Sequence, residues 1–159
     1  MSATGRALTG IGTEPLNERR LTEFVTTPAS GGVVLFSGVV RNLHEGREVV
    51  RIEYVGVEPL ARAKLAEIAD DVLADPEVHR VAAVHRLGLL EVGEASVMVA
   101  ASAAHRDRAF AAARRLIDRI KETLPVWKRE HFVDGSVAWA PGFTVAEADR
   151  VADREAEVQ

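Results

Sequence analysis

The sequence predicts an α+β fold: a single domain with a mixed or antiparallel sheet of hairpins, two main amphipathic helices and a short N-terminal helix. Three observations carry this. Stretches rich in Val, Ile and aromatic residues come in pairs, separated by short polar segments containing Gly. Two long stretches repeat their apolar residues every 3.6 positions. The order is roughly βα-ββ-α-ββ-α-ββ, which lacks the regular alternation of a doubly wound parallel sheet.

Arg6–Gly12 reads as a short strand. Leu16–Val25 reads as a short helix with Leu16, Leu21, Phe24 and Val25 on its apolar face. The Thr, Pro, Ser and Gly of Thr26–Gly32 mark a loop. Val33–Val40 is a continuous apolar run and reads as a buried strand, with Phe36 in the core. Gly38 within it marks a bulge or the close approach of another backbone. Arg41–Glu48 reads as the loop of a hairpin whose return strand is Val49–Val55. There Val50, Ile52 and Tyr54 alternate with Arg51 and Glu53.

The period changes at Glu58. Leu60, Ala61, Leu65, Ile68, Ala69, Val72 and Leu73 form a helical stripe, which Asp75-Pro76 ends. Val78–Leu87 and Glu94–Ala104 are two strands joined by the loop Gly88–Gly93. The second main helix runs from about Arg106 to Leu124 and stops at Pro125, which has no N–H to donate. Trp127–Val133 is a strand, Asp134-Gly135 a turn and Ser136–Trp139 a last short strand. Residues 1–145 are expected to form the domain. Residues 146–159 read as an acidic tail, either a fraying helix or disordered.

The chain has 159 residues, 47 % of them apolar, which suits one globular domain. It has no cysteine. That excludes a disulfide, a zinc ribbon, a Cys-ligated iron–sulfur cluster and a cysteine nucleophile. A net charge of −4 makes neither nucleic acid nor an anionic membrane the expected partner. No apolar run approaches the roughly 20 residues of a membrane span, and the first 30 residues hold no signal-peptide core, so the cytoplasm is the expected location.

Dinucleotide, P-loop, zincin and serine-hydrolase signatures are all missing. No histidine pair has metal-ligand spacing on a helix, so no metal and no cofactor are expected. What remains is a set of basic residues at the ends of elements. Arg41 closes the first long strand. His105 and Arg106 sit where a strand gives way to a helix N-terminus, whose free N–H groups favour an anion. Lys121 lies in the last turn of that helix, and Lys128 follows the Pro125 break. A helix–Pro–strand corner can bring these two amines together. Close ammonium groups disfavour each other's charge, and an amine so tuned can serve as nucleophile or proton carrier. Each residue also has a plainer role: a dipole partner for Lys121, a solvated side chain for Lys128 or Arg41, packing for Trp127 and Trp139, structure for His79 and His85. The pattern alone supports an anion-binding α+β domain.

Read in order, three stretches add more. They are Val34-Leu35-Phe36-Ser37-Gly38-Val39-Val40-Arg41-Asn42; then His85-Arg86-Leu87-Gly88 with Ser102-Ala103-Ala104-His105-Arg106; then Lys121-Glu122-Thr123-Leu124-Pro125-Val126-Trp127-Lys128-Arg129-Glu130. Over about residues 30–140 the chain resembles the catalytic (large) subunit family of molybdopterin synthase. The resemblance implies conversion of cyclic pyranopterin monophosphate (precursor Z) to the molybdopterin dithiolene, in molybdenum cofactor biosynthesis. It implies a sulfur donor too: the thiocarboxylated C-terminal Gly-Gly of a small ubiquitin-like subunit. It further implies a homodimer of large subunits within a heterotetramer.

By matching positions, Lys121 and Lys128 look like the family's two essential lysines. Lys121 is then the candidate for a covalent or acid/base role, and Lys128 for substrate binding and proton transfer. Arg41, His105 and Arg106 look like holders of the substrate's phosphate and pterin. Val39, Val40, Arg129 and Glu130 fall in the same binding segments. Three departures stand out. Val39 replaces a position that is often polar or basic, Val57 one that is often aromatic, and Ala138, Ala140 and Pro141 flank Trp139 where charges are frequent. Two non-catalytic functions compete: a receptor for a ubiquitin-like tail and a phosphate-ligand sensor domain. Retention of both lysines favours the enzyme.

Overall fold

The computed structural model describes residues 1–140. The elements in chain order are β1 (Ser2–Thr4), β2 (Ala7–Gly12), α1 (Glu18–Val25), β3 (Gly32–Val39), β4 (Leu43–His44), β5 (Arg47–Gly56), α2 (Glu58–Leu73), β6 (Val78–Arg86), β7 (Gly88–Glu91), β8 (Ala95–Ala103), α3 (Arg106–Thr123), β9 (Val126–Phe132) and β10 (Val137–Trp139). The tail read at 146–159 lies outside the described residues.

The α+β class holds, with the strands in two sheets. The first has the order β1-β2-β6-β8-β3 and is mixed, since β2 runs parallel to β6 and the other pairs are antiparallel. The second has the order β10-β9-β5-β4, with β7 also pairing with β5. Helices cover both faces of the first sheet. On one face α2 and α3 bury Leu65, Ile68, Val72, Leu116 and Ile117 against Val81, Val99 and Ala101. On the other, Leu21 and Val25 of α1 pack with Leu8, Val84 and Met98. This is why Val81–Val84 of β6 and Val97–Ala101 of β8 are apolar at every position: both faces are dry. The second sheet has its own small core of Val40, Val49, Ile52, Leu90 and Phe132.

Helix ends follow local chemistry. Asn17 caps α1, its side-chain oxygen accepting from the Arg20 N–H at 3.1 Å. Pro59 sits in the first turn of α2, where its missing N–H costs nothing.

Four expectations need correction. Val33–Val40 and Val49–Val55 do not form a hairpin: β3 pairs with β8, and β5 pairs with β9 and β7. The polar link between them crosses from one sheet to the other, and only its tip closes locally, as β4 on β5. Nor is β3 buried, because it is the edge of its sheet; Phe36 and Val39 are 38 % and 57 % exposed. In β5 the register slips between Val49 and Arg51, so Val49 and Ile52 point inward and Val50 outward. The segment after β6, read as a loop, contains β7. The irregularity expected at Gly38 is present, with a register shift between Gly38 and Val39. A Cβ at Gly38 would meet Val97 Cγ1 at 2.7 Å, so β3 lies against β8 there only because that atom is missing.

Candidate functional site

A cavity of about 940 Å³ opens at the seam between the two sheets, beside the C-terminus of α3. The corner at Pro125 creates it. The last turn of α3 closes with Leu124 N–H donating to Ile120 O at 3.0 Å, and Leu124 itself is extended. Pro125 cannot continue the helix, and the chain enters β9 antiparallel to β5. Val126 stands opposite Gly56 and Lys128 opposite Tyr54. A Cβ on Gly56 would lie 2.9 Å from Pro125 O, so glycine is what lets β5 approach the corner closely.

Both lysines line the cavity. Lys121 reaches it from the last turn of α3, exposed and without a hydrogen bond or ion pair among the described residues. Its charge also suits the negative end of the helix dipole. Lys128 comes from β9. Strand alternation puts Glu130 on the same face, and Lys128 Nζ donates to Glu130 Oε1 at 3.0 Å. Glu130 is only 3 % exposed, and on its other side His44 Nδ1 lies 3.5 Å from the same oxygen. A buried carboxylate needs cationic or donor neighbours, and here the amine fixes the acid while the acid fixes the amine.

Arg41, where the chain leaves β3 for the second sheet, also lines the cavity, as does the exposed Val39. Four expected site residues lie elsewhere. Val40 is buried in the second core, its N–H given to Glu94 O and its carbonyl taken by the Gly93 N–H. Arg129 faces away from the cavity, bonds Glu53 and stands 5.5 Å from the Trp139 ring. His105 is the exposed N-cap residue of α3, and Arg106 begins that helix, also exposed. Fifteen helical residues separate Arg106 from Lys121, about 22 Å along the axis. Within one chain, one small ligand cannot touch both.

Phe36, Tyr54 and His85, to which the sequence assigns no site role, also line the cavity. His85 is 7 % exposed, and its Nδ1 bonds the Arg86 carbonyl at 2.9 Å. Its ring meets Tyr54 edge-on at 5.2 Å. Burial lowers its pKa from 6.5 to about 4, against a smaller opposite effect of the Arg86 bond, so the ring is neutral. One signal for it is in the sequence: a histidine directly after the apolar run Val81-Ala82-Ala83-Val84.

Among the described residues, no cluster of three or more His, Asp or Glu could hold a metal, and no helix is long and apolar enough to cross a membrane. The site offers three cations around a polar hollow, one pinned by a buried carboxylate. That arrangement is suited to holding an anion and to passing protons.

Comparisons with known proteins place the chain among relatives. The family model described as MoaE protein matches residues 11–123. The molybdopterin synthase catalytic subunit of Nostoc sp. is 44 % identical over 126 residues, covering 79 % of this chain and 76 % of that protein. The solved molybdopterin synthase of Staphylococcus aureus superposes with a TM-score of 0.77 at 35 % identity, covering 82 % of this chain and 94 % of that one. The complex of subunits 1 and 2 of molybdopterin-converting factor from Helicobacter pylori shares the fold, with a TM-score of 0.66 at 19 % identity over 87 % of this chain and 92 % of that one.

Proposed function

The chain belongs to the MoaE protein family, and we propose on that footing that it is a cytoplasmic molybdopterin synthase catalytic subunit acting as a sulfurtransferase. Its substrate is cyclic pyranopterin monophosphate, which it converts to the molybdopterin dithiolene. The observation that carries the proposal is the convergence of Lys121, Lys128 and Arg41 on one cavity in a chain without cysteine.

A chain with no thiol of its own cannot hold the transferred sulfur as a persulfide. Sulfur comes in on a partner, as the thiocarboxylate at the Gly-Gly end of a small ubiquitin-like subunit. That anionic tail needs a cation at the cavity, and Lys121, without a partner among the described residues, meets it. Lys128, oriented by Glu130, contacts the substrate and moves protons. Arg41 supplies a guanidinium for phosphate. The exposed Phe36 and Val39 at the β3 edge give an extended tail an apolar path to the cavity.

His105 and Arg106 join the substrate site only if a second copy presents its α3 N-terminus to this cavity. The separation of about 22 Å along α3 favours such a dimer.

One set of reconstitutions tests both points. Purified chain, thiocarboxylated small subunit and precursor should yield molybdopterin. Lys121→Ala should abolish this while the tail still binds, and Arg106→Ala should be severely impaired. A mixture of the two variants should regain about a quarter of wild-type activity, because half the dimers are mixed and each keeps one intact site. Full activity of Lys121→Ala removes its role, and no recovery in the mixture removes the shared site. If the variant binds tail normally and the wild type makes no product, the chain is a receptor rather than an enzyme.

A further inference from the structure

The cavity's cations explain how an anion is held, but none of them can recognise a hydrogen-bond donor. Arg41, Lys121 and Lys128 are themselves donors. A pterin carries ring N–H and amino groups that need acceptors, and Glu130 already serves Lys128 and faces His44.

We infer that His85 Nε2 is an acceptor for an N–H group of the bound heterocycle, which makes His85 a substrate-specificity residue. The inference rests on the pterin substrate proposed above. Three observations carry it. The Arg86 carbonyl can only accept, so the 2.9 Å contact requires the proton on Nδ1 and leaves Nε2 as a bare lone pair. Nε2 has no hydrogen-bond partner among the described residues. Among the described residues the sealed side-chain nitrogens without a hydrogen bond belong to His44 and His131, whereas His85 opens onto the cavity. Finally, the ring is held from two sides. β6 fixes its backbone between β2 and β8, opposite Ile11 and Val97, and Tyr54 packs edge-on against it.

Tyr54 stands directly across the strand pair from Lys128. The cavity wall therefore runs from acceptor (His85) through an aromatic (Tyr54) to a cation (Lys128). A flat heterocycle bearing both N–H donors and an anionic substituent matches that sequence of groups. Burial keeps His85 uncharged, so the acceptor persists throughout the neutral range. A buried acceptor that one ligand satisfies and another leaves unpaired is a strong discriminator.

Calorimetry on the full chain tests this with two probes, cyclic pyranopterin monophosphate and inorganic phosphate. His85→Phe keeps a ring against Tyr54 and loses the acceptor. It should weaken binding of the pterin phosphate by about tenfold and leave inorganic phosphate unaffected. His85→Gln, which can place an amide oxygen near the Nε2 position, should recover most of the loss. If Phe disturbs the fold, wild-type protein labelled with 15N-histidine still decides. The His85 Nε2 resonance should shift toward that of a hydrogen-bonded nitrogen when pterin phosphate is added, and not with phosphate alone. Equal pterin affinity in wild type and His85→Phe, or a resonance that does not move in saturated wild type, overturns the inference and leaves the proposed function standing. Wild type that binds phosphate but no pterin phosphate overturns both.

Discussion

Acid should destabilise this protein through His85 before its carboxylates are titrated. The histidine is neutral in the folded chain because burial lowers its pKa from 6.5 to about 4. The unfolded chain has no such constraint. Between those two values the unfolded state binds more protons than the folded state, so folding stability rises with pH. The contribution is complete above pH 6.5 and is lost as pH falls toward 4. At about 1.4 kcal/mol per pH unit, the full loss is about 3 kcal/mol. Applying the same linkage between pH 7 and pH 5 gives a loss of about 2 kcal/mol. Against a typical domain stability of about 5–15 kcal/mol, that is easily measured.

Urea titrations of wild type and His85→Gln at pH 7, 6, 5 and 4.5 provide the assay. Glutamine does not titrate, so the variant lacks the slope whatever its stability at pH 7. Glu94 and Asp134 also have lowered pKa values, Glu94 first through a backbone hydrogen bond from Glu91 and Asp134 first through the Ser136 side chain. Their effects fall at lower pH and occur in both proteins, so the difference between the curves isolates His85. Wild type should lose about 2 kcal/mol more than the variant between pH 7 and pH 5. Parallel curves would refute the reasoning, since they would mean that His85 has the same proton affinity folded and unfolded.

Two further predictions concern the framework of the cavity. Glu130→Gln keeps an acceptor for Lys128 and His44 but removes the charge that holds the ammonium. Molybdopterin formation should fall by about tenfold or more, with unfolding free energy changed by about 1 kcal/mol, because Lys128 remains open to cavity water; unchanged turnover would show that the charge does not orient Lys128. Gly56→Ala puts a Cβ 2.9 Å from Pro125 O, an atom of a rigid backbone corner. It should cost about 1–3 kcal/mol in chemical denaturation and lower activity by shifting β9, and an unchanged denaturation midpoint would mean that the corner yields freely.

The legible and illegible parts of this fold divide on physical grounds. The helix α2 was readable to the residue at its start, because a break in apolar period coincides with Glu58 and Pro59. The helix α3 was equally clear, bounded by Pro125. Strand partners were not, since periodicity shows which face of a strand is apolar and says nothing about its neighbour. That is why β3 and β5 look like a hairpin in sequence although the chain between them changes sheets. The same limit explains Phe36. An apolar run marks residues that avoid water somewhere, and at the edge strand β3 this chain leaves them partly uncovered. The slip near Val50 was invisible because a one-residue bulge inverts the alternation without altering composition.

The site divides in the same way. Basic residues at element ends are a local signal, and it picks out Lys121, Lys128 and Arg41, all of which line the cavity. It does not pick out His85, because its role depends on a carbonyl one residue away and on an aromatic from the other sheet. Its neighbours β2 and β8 bury the ring, and burial together with the Arg86 bond decides its charge and its tautomer. Cations at element ends provide attraction for any anion, and attraction alone does not tell one phosphate ester from another. Discrimination needs a group that is left unsatisfied by the wrong ligand, and such a group must be fixed, neutral and partly dry. Those conditions arise where two sheets meet, not at an exposed helix end. The residues proposed to draw the ligand in are therefore visible in sequence, while the residue best placed to identify it becomes visible only once β5 and β6 are brought together.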